Sequence, residues 1–161
     1  MSDFPEELRA LLRQPDTAKV IATVGREGAP HVAARPTLQL LANGDLAFAE
    51  VLDSSQLSKD LVYALWFERP IAIGISRGEA AWQLTARPWR CVVAGPLLKQ
   101  FLLAARAAQG PDADIATVWV LRVDAVRDDS PETQRLADAA LRPNAGAHLD
   151  RESLVRRAVV S

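Results

Sequence analysis

Cysteine is nearly absent from this chain: Cys91 stands alone among 161 residues, which excludes an intramolecular disulfide and any cysteine-rich zinc site. Histidine is almost as scarce, and His31 and His148 are too few for a self-contained imidazole metal site, so no resident metal is expected. An excess of one charge sign is also missing. Nineteen basic residues against twenty acidic ones leave a formal net charge of −1, which argues against a phosphate-backbone surface for nucleic acid and against a polybasic membrane contact. No stretch approaches the ~18 uninterrupted apolar residues of a spanning helix, and the first residues carry Asp3, Glu6 and Glu7 where a leader would be positive. A cytoplasmic protein is the expectation.

What is present suits one soluble domain with its own core. Hydrophobic residues make up 49% and charged residues 24%, ordinary values for a globular chain of this length. Pro5 to Leu12 predicts a short helix with Leu8, Leu11 and Leu12 on one face. Lys19–Val24 alternates with the two-residue period of a strand, Gly25 to Gly28 turns, and a second strand is expected from His31 to Leu41. Asn43-Gly44 is a strong hairpin signal, so Leu46 to Val51 should pair back and complete a three-stranded meander. A helix follows from the capping residues Asp53-Ser54-Ser55 to about Phe67. Ile71–Ser76 and Ala80–Ala86 form a second hairpin, prolonged past Arg87-Pro88 by Cys91-Val92-Val93. Pro96 to Gln109 predicts an apolar-striped helix, Thr117–Val123 a strand, and Ser130 to about Leu141 a further helix, with either a final amphipathic helix or a frayed tail from Asp150 to Val159. The fold class is α+β, mainly β: the expected domain spans 1–129, and 130–161 is its helical extension.

Several residues invite a chemical reading. Gly74-Ile75-Ser76-Arg77-Gly78 matches the G-x-S-x-G nucleophile pattern, but the residues after it read as a returning strand instead of the helix an elbow needs. His31 has no partner ligand at metal spacing and reads as a turn residue; Cys91 in an apolar strand reads as a small inert hydrophobe. Tryptophan outnumbers tyrosine four to one. Trp82, Trp89 and Trp119 fall in predicted strands, where core, interface or planar-ligand contact are the alternatives for a ring with one N–H to satisfy. Trp66, beside Phe67 at a helix end, reads as plain packing. Arg35 on the second strand and the run Ser54, Ser55, Gln56, Ser58, Lys59 at a helix start together make a phosphate-compatible set, because free N–H groups and cations satisfy anionic oxygens. The same run is also what an ordinary capped helix looks like.

The order of these elements, with Val20-Ile21-Ala22-Thr23-Val24, Glu27-Gly28-Ala29-Pro30-His31-Val32 and Gly44-Asp45-Leu46-Ala47-Phe48, resembles the FMN-binding split barrels, the pyridoxamine 5′-phosphate oxidase-like superfamily. The resemblance runs from about Leu8 to Asp128. It implies a six-stranded antiparallel split β-barrel with peripheral helices, and a homodimer holding FMN at the subunit interface. It also implies the site residues. Arg35, Ser58 and Lys59 would hold the phosphate, with Ser55 and Gln56 in their place if the gap falls elsewhere. Pro36, Thr37 and Gln83 would border the ring, with Trp82 or Trp119 excluding water, and the residues closing the third strand fall on Ala49 and Glu50, near the expected phosphate. Two positions depart from the family pattern: Leu40 stands where a basic residue is common, and Glu50 where a neutral hydroxyl is expected.

The function implied is a flavoprotein that passes electrons or hydride between non-covalently bound FMN and an unidentified small-molecule substrate or redox partner. Two rivals share the barrel: a binding protein that has lost flavin, and a protein that takes haem or a deazaflavin instead.

Overall fold

The computed structural model describes residues 4–142, arranged as one seven-stranded antiparallel sheet and four helices. The strands are β1 (Ala18–Val24), β2 (Pro30–Ala34), β3 (Gln39–Leu40), β4 (Leu46–Glu50), β5 (Ile71–Arg77), β6 (Ala80–Val92) and β7 (Thr117–Asp128). The helices are α1 (Glu6–Arg13), α2 (Gln56–Trp66), α3 (Pro96–Gln109) and α4 (Pro131–Leu141). No helix among the described residues is long and apolar enough to cross a membrane. The segment from Asp150 to Val159, expected as a helix or a frayed tail, lies outside the described residues, as does His148.

The sheet order is β2-β1-β5-β6-β7-β4-β3, which places β2 and β3 at opposite edges. Only Arg35, Pro36, Thr37 and Leu38 separate them in the chain. A flat sheet would hold these edges roughly 29 Å apart, six strand spacings of ~4.8 Å, whereas five extended residue steps reach at most about 18 Å. The sheet therefore curls until its edges approach, and the four-residue segment bridges the remaining seam. This is an open, split barrel.

The seam corrects the expected second strand. His31–Leu41 is two strands, not one: β2 pairs with β1, β3 pairs with β4, and β4 pairs with β7 instead of completing a meander with β1. Pro36, which has no N–H to give a ladder, sits at the break. The split also accounts for seven strands where six were expected. Elsewhere the expected elements form. Ser55 caps α2 by accepting from the Ser58 N–H, the β3–β4 hairpin turns at Gly44 with φ 92°, and Ser76 lies in β5 ahead of a hairpin at Gly78, so no nucleophile elbow exists. Bulges near Thr85 and Pro88 carry β6 past its proline.

The strands' two faces bury two cores. Leu46, Phe48, Ile21, Ile73, Ile75, Leu84, Trp119 and Leu121 fill the barrel with Leu8, Leu11 and Leu12 of α1 and Leu57, Leu61 and Ala64 of α2. On the other face Ala47, Ala49, Val118 and Val120 pack against Phe101 of α3. By contrast α4 buries no residue; it is joined through Asp128, whose carboxylate accepts from the Ser130 N–H and the Thr133 hydroxyl.

Candidate functional site

The seam gathers four of the expected residues. Arg35 leaves β2 with its N–H on the Lys19 carbonyl, 2.8 Å away, so its side chain points across the gap towards the end of β4. There Nε and Nη2 both reach the Glu50 carboxylate, at 3.1 and 2.9 Å, while Nη1 donates to the Ala34 carbonyl. Glu50 is only 4% exposed, so its charge is balanced in place by a two-toothed pair. Two residues on, the Thr37 hydroxyl accepts the Ala49 N–H at 3.0 Å and continues the β3–β4 ladder by a side chain. Arg35, Thr37, Ala49 and Glu50 thus form one hydrogen-bonded unit across the seam. Sequence spacing conceals it, because Arg35 and Glu50 lie fifteen residues apart.

The helix-start residues divide. Ser55 is spent on the cap. Ser58 is buried, and its hydroxyl oxygen has no hydrogen-bond partner among the described residues. Lys59 is exposed and joins no ion pair among those residues. Gln56 donates to the Asp60 carboxylate at 2.8 Å. Both Gln56 and Lys59 line a groove of about 840 Å³ between α2 and the β1–β2 turn, together with His31, Tyr63, Trp66 and Phe67. Trp66 is 77% exposed, which corrects its reading as plain packing.

Pro36 and Thr37 open on a second cleft, of about 550 Å³, whose other wall brings Arg9, Arg13 and Lys19. Sequence reasoning passed over these three. The signal was the i, i+4 spacing of Arg9 and Arg13 on α1, which puts both on one helix face. Lys19 donates to the carbonyls of Leu38 and Pro36, and partial burial holds its pKa below the ordinary lysine value.

Trp82, Gln83 and Trp119 stand apart from the seam pair. Trp82 packs at the edge of the barrel core. Gln83 accepts from Arg127 on β7 at 3.0 Å. Trp119 is enclosed between Phe48 and Cys91 on the neighbouring strands, its ring N–H without a partner among the described residues. Trp89 carries Arg122 over its ring at 3.4 Å. Cys91 lies at the surface, and partial burial raises its thiol pKa above the ordinary value.

No protein-family model and no curated protein sequence matches this chain. Solved structures do. An FMN-binding protein from Syntrophomonas wolfei subsp. wolfei superposes with a TM-score of 0.62 at 9% identity, over 78% of this chain and 85% of that one. An F420 reductase gives 0.59 at 16% identity, over 77% and 98%. HutZ, the haem storage protein from Vibrio cholerae, gives 0.56 at 13% identity, over 79% and 95%. The curled sheet, the bridged seam and these superpositions together identify the fold as the split barrel of the FMN-binding and pyridoxamine 5′-phosphate oxidase-like proteins.

Proposed function

We propose that this protein is a flavoprotein that binds FMN non-covalently at the seam and serves an oxidoreductase, moving electrons or hydride between the flavin and a small-molecule substrate or redox partner. The observation that carries the reading is the Arg35–Glu50 pair. An acid beside a phosphate site raises the energy of a bound phosphate unless a cation neutralises it, and here Glu50 is neutralised within the fold. The donor set fits the cofactor: among the described residues Ser58 offers a buried hydroxyl without a partner and Lys59 a cation outside any ion pair, both on the first turn of α2, where free N–H groups favour anions. Pro36, Thr37 and Gln83 would border the ring, Trp82 or Trp119 would exclude water from it, and Ala49 and Glu50 would lie near the phosphate. Bound FMN supplies the redox chemistry; the chain's residues bind it, orient it and limit water. A homodimer, with the partner subunit closing the open side of the seam, completes the proposal, as does a cytoplasmic location.

Affinity measurements test it. Ser58→Ala and Lys59→Ala should each weaken FMN by about tenfold, the scale of one hydrogen bond to a charged group. Glu50→Gln should tighten it by freeing Arg35. Unchanged affinity in both Ser58→Ala and Lys59→Ala would remove this site. A second reading has its own support: with Arg35 committed to Glu50, fewer cations are left for a phosphate, and the fold is shared with an F420 reductase and a haem storage protein. A deazaflavin or haem occupant is distinguished from FMN by its absorption bands.

A further inference from the structure

The groove between α2 and the β1–β2 turn has a built floor and an unused wall. Its floor is Asp60, 2% exposed. One carboxylate oxygen accepts from the Thr23 hydroxyl at 2.7 Å, the other from the Gln56 amide at 2.8 Å. Both donors are neutral, and none of the ion pairs among the described residues includes Asp60. Buried charges are ordinarily matched by an opposite charge, and a carboxylate has lone pairs beyond these two bonds. Asp60 lines the groove, and the absence of a side chain on Gly25 leaves room beside it: a side-chain carbon there would stand 2.6 Å from the Asp60 oxygen.

The wall is aromatic. Tyr63 and Phe67 pack with ring centroids 4.8 Å apart, and Trp66 and Phe67 are 77% and 63% exposed, although soluble proteins seldom leave such rings bare in one place. From Asp60 to Trp66 is six residues, about 9 Å along the helix. Arg26, Lys59 and Glu27 also line the groove, and with Asp60 their charges cancel, so the groove as a whole repels neither sign. Its volume, about 840 Å³, lies within the range of small-ligand sites.

We infer that this groove is a binding site for an organic cation: an amine whose ammonium completes the charge of Asp60 and whose planar apolar body lies on Tyr63, Trp66 and Phe67. A carboxylate for the charge and aromatic faces for the body are the two elements by which proteins recognise such cations. Lys59 borders both this groove and the proposed phosphate site, but the residues that carry the inference, Asp60, Tyr63, Trp66 and Phe67, are none of the proposed flavin contacts.

Titration with two probes of the same ring and opposite charge tests it. Phenethylamine should bind, seen as a change in the Trp66 fluorescence and in calorimetry, and 3-phenylpropionate should bind at least about tenfold more weakly. Asp60→Asn should abolish the preference for the amine. Trp66→Ala, at an exposed position that folding does not need, should weaken the amine and remove the fluorescence change, which keeps the test valid if Asp60→Asn does not fold. No amine binding at millimolar concentration, equal binding of both probes, or full amine affinity in Trp66→Ala would each overturn the assignment. So would a loss of self-association in Trp66→Ala with no probe bound, because the groove would then belong to a second copy of the chain.

Discussion

At the scale of single residues, the seam turns on two side chains that neutralise each other. Truncating either partner of the Arg35–Glu50 pair leaves the other short of its charge in a poorly solvated place, so Arg35→Ala and Glu50→Ala should each cost about 1–3 kcal/mol. Because they share one interaction, the double variant should cost less than the sum, by about 0.5–3 kcal/mol in urea unfolding; strict additivity would show that the pair carries no coupling. Cys91 gives a pH test. Desolvation raises its thiol pKa above the ordinary thiol value, so at neutral pH the thiolate fraction is smaller than in a free cysteine and labelling by a thiol reagent should be slow, accelerating only in the alkaline range. The sign for stability follows: a raised thiol pKa favours the folded state while the thiol is protonated, and that contribution is lost above this range. Fast labelling at pH 7 would contradict it. Gly25→Ala should destabilise through contact with Asp60, by about 1–3 kcal/mol. This requirement could not be seen in the sequence, where Gly25 looks like any turn glycine.

Among the elements, those with strong local signals were legible. The leucine face of α1, the Ser55 cap, the Asn43-Gly44 turn and the isoleucine alternation of β5 each specify their structure within a few residues. Replacing the cap, Ser55→Ala, should cost about 1 kcal/mol, measured by thermal or urea unfolding; no change would mean that the cap is dispensable. The second strand misled because apolar alternation runs unbroken from His31 to Leu41, while the break is set by Pro36 and by the distance between sheet edges, a property of the whole barrel. Trp66 misled for the converse reason: helical spacing says which residues share a face, not whether anything covers it. In α4 no residue is buried, so its amides should exchange with solvent well before those of α2 in hydrogen-exchange measurements; protection equal to that of α2 would require a partner surface on α4.

For the whole molecule, the order of elements was readable and pointed to the split barrel, whereas the assembly of the site depends on closure. Strand edges far apart in the sheet meet only because four residues bridge them, and this brings Arg35 to Glu50 and Thr37 to Ala49. The same closure seals Trp119 in the core, while Gln56 and Lys59, on the first turn of α2, also border the aromatic groove. The proposed flavin at the seam is the claim on which the functional account rests, and one spectrum tests it. The absorption of the purified protein should be recorded before and after incubation with excess FMN and removal of free ligand. Flavin bands retained at about one per chain are the predicted result; a protein that retains no flavin, at neutral pH and low salt, would contradict the account.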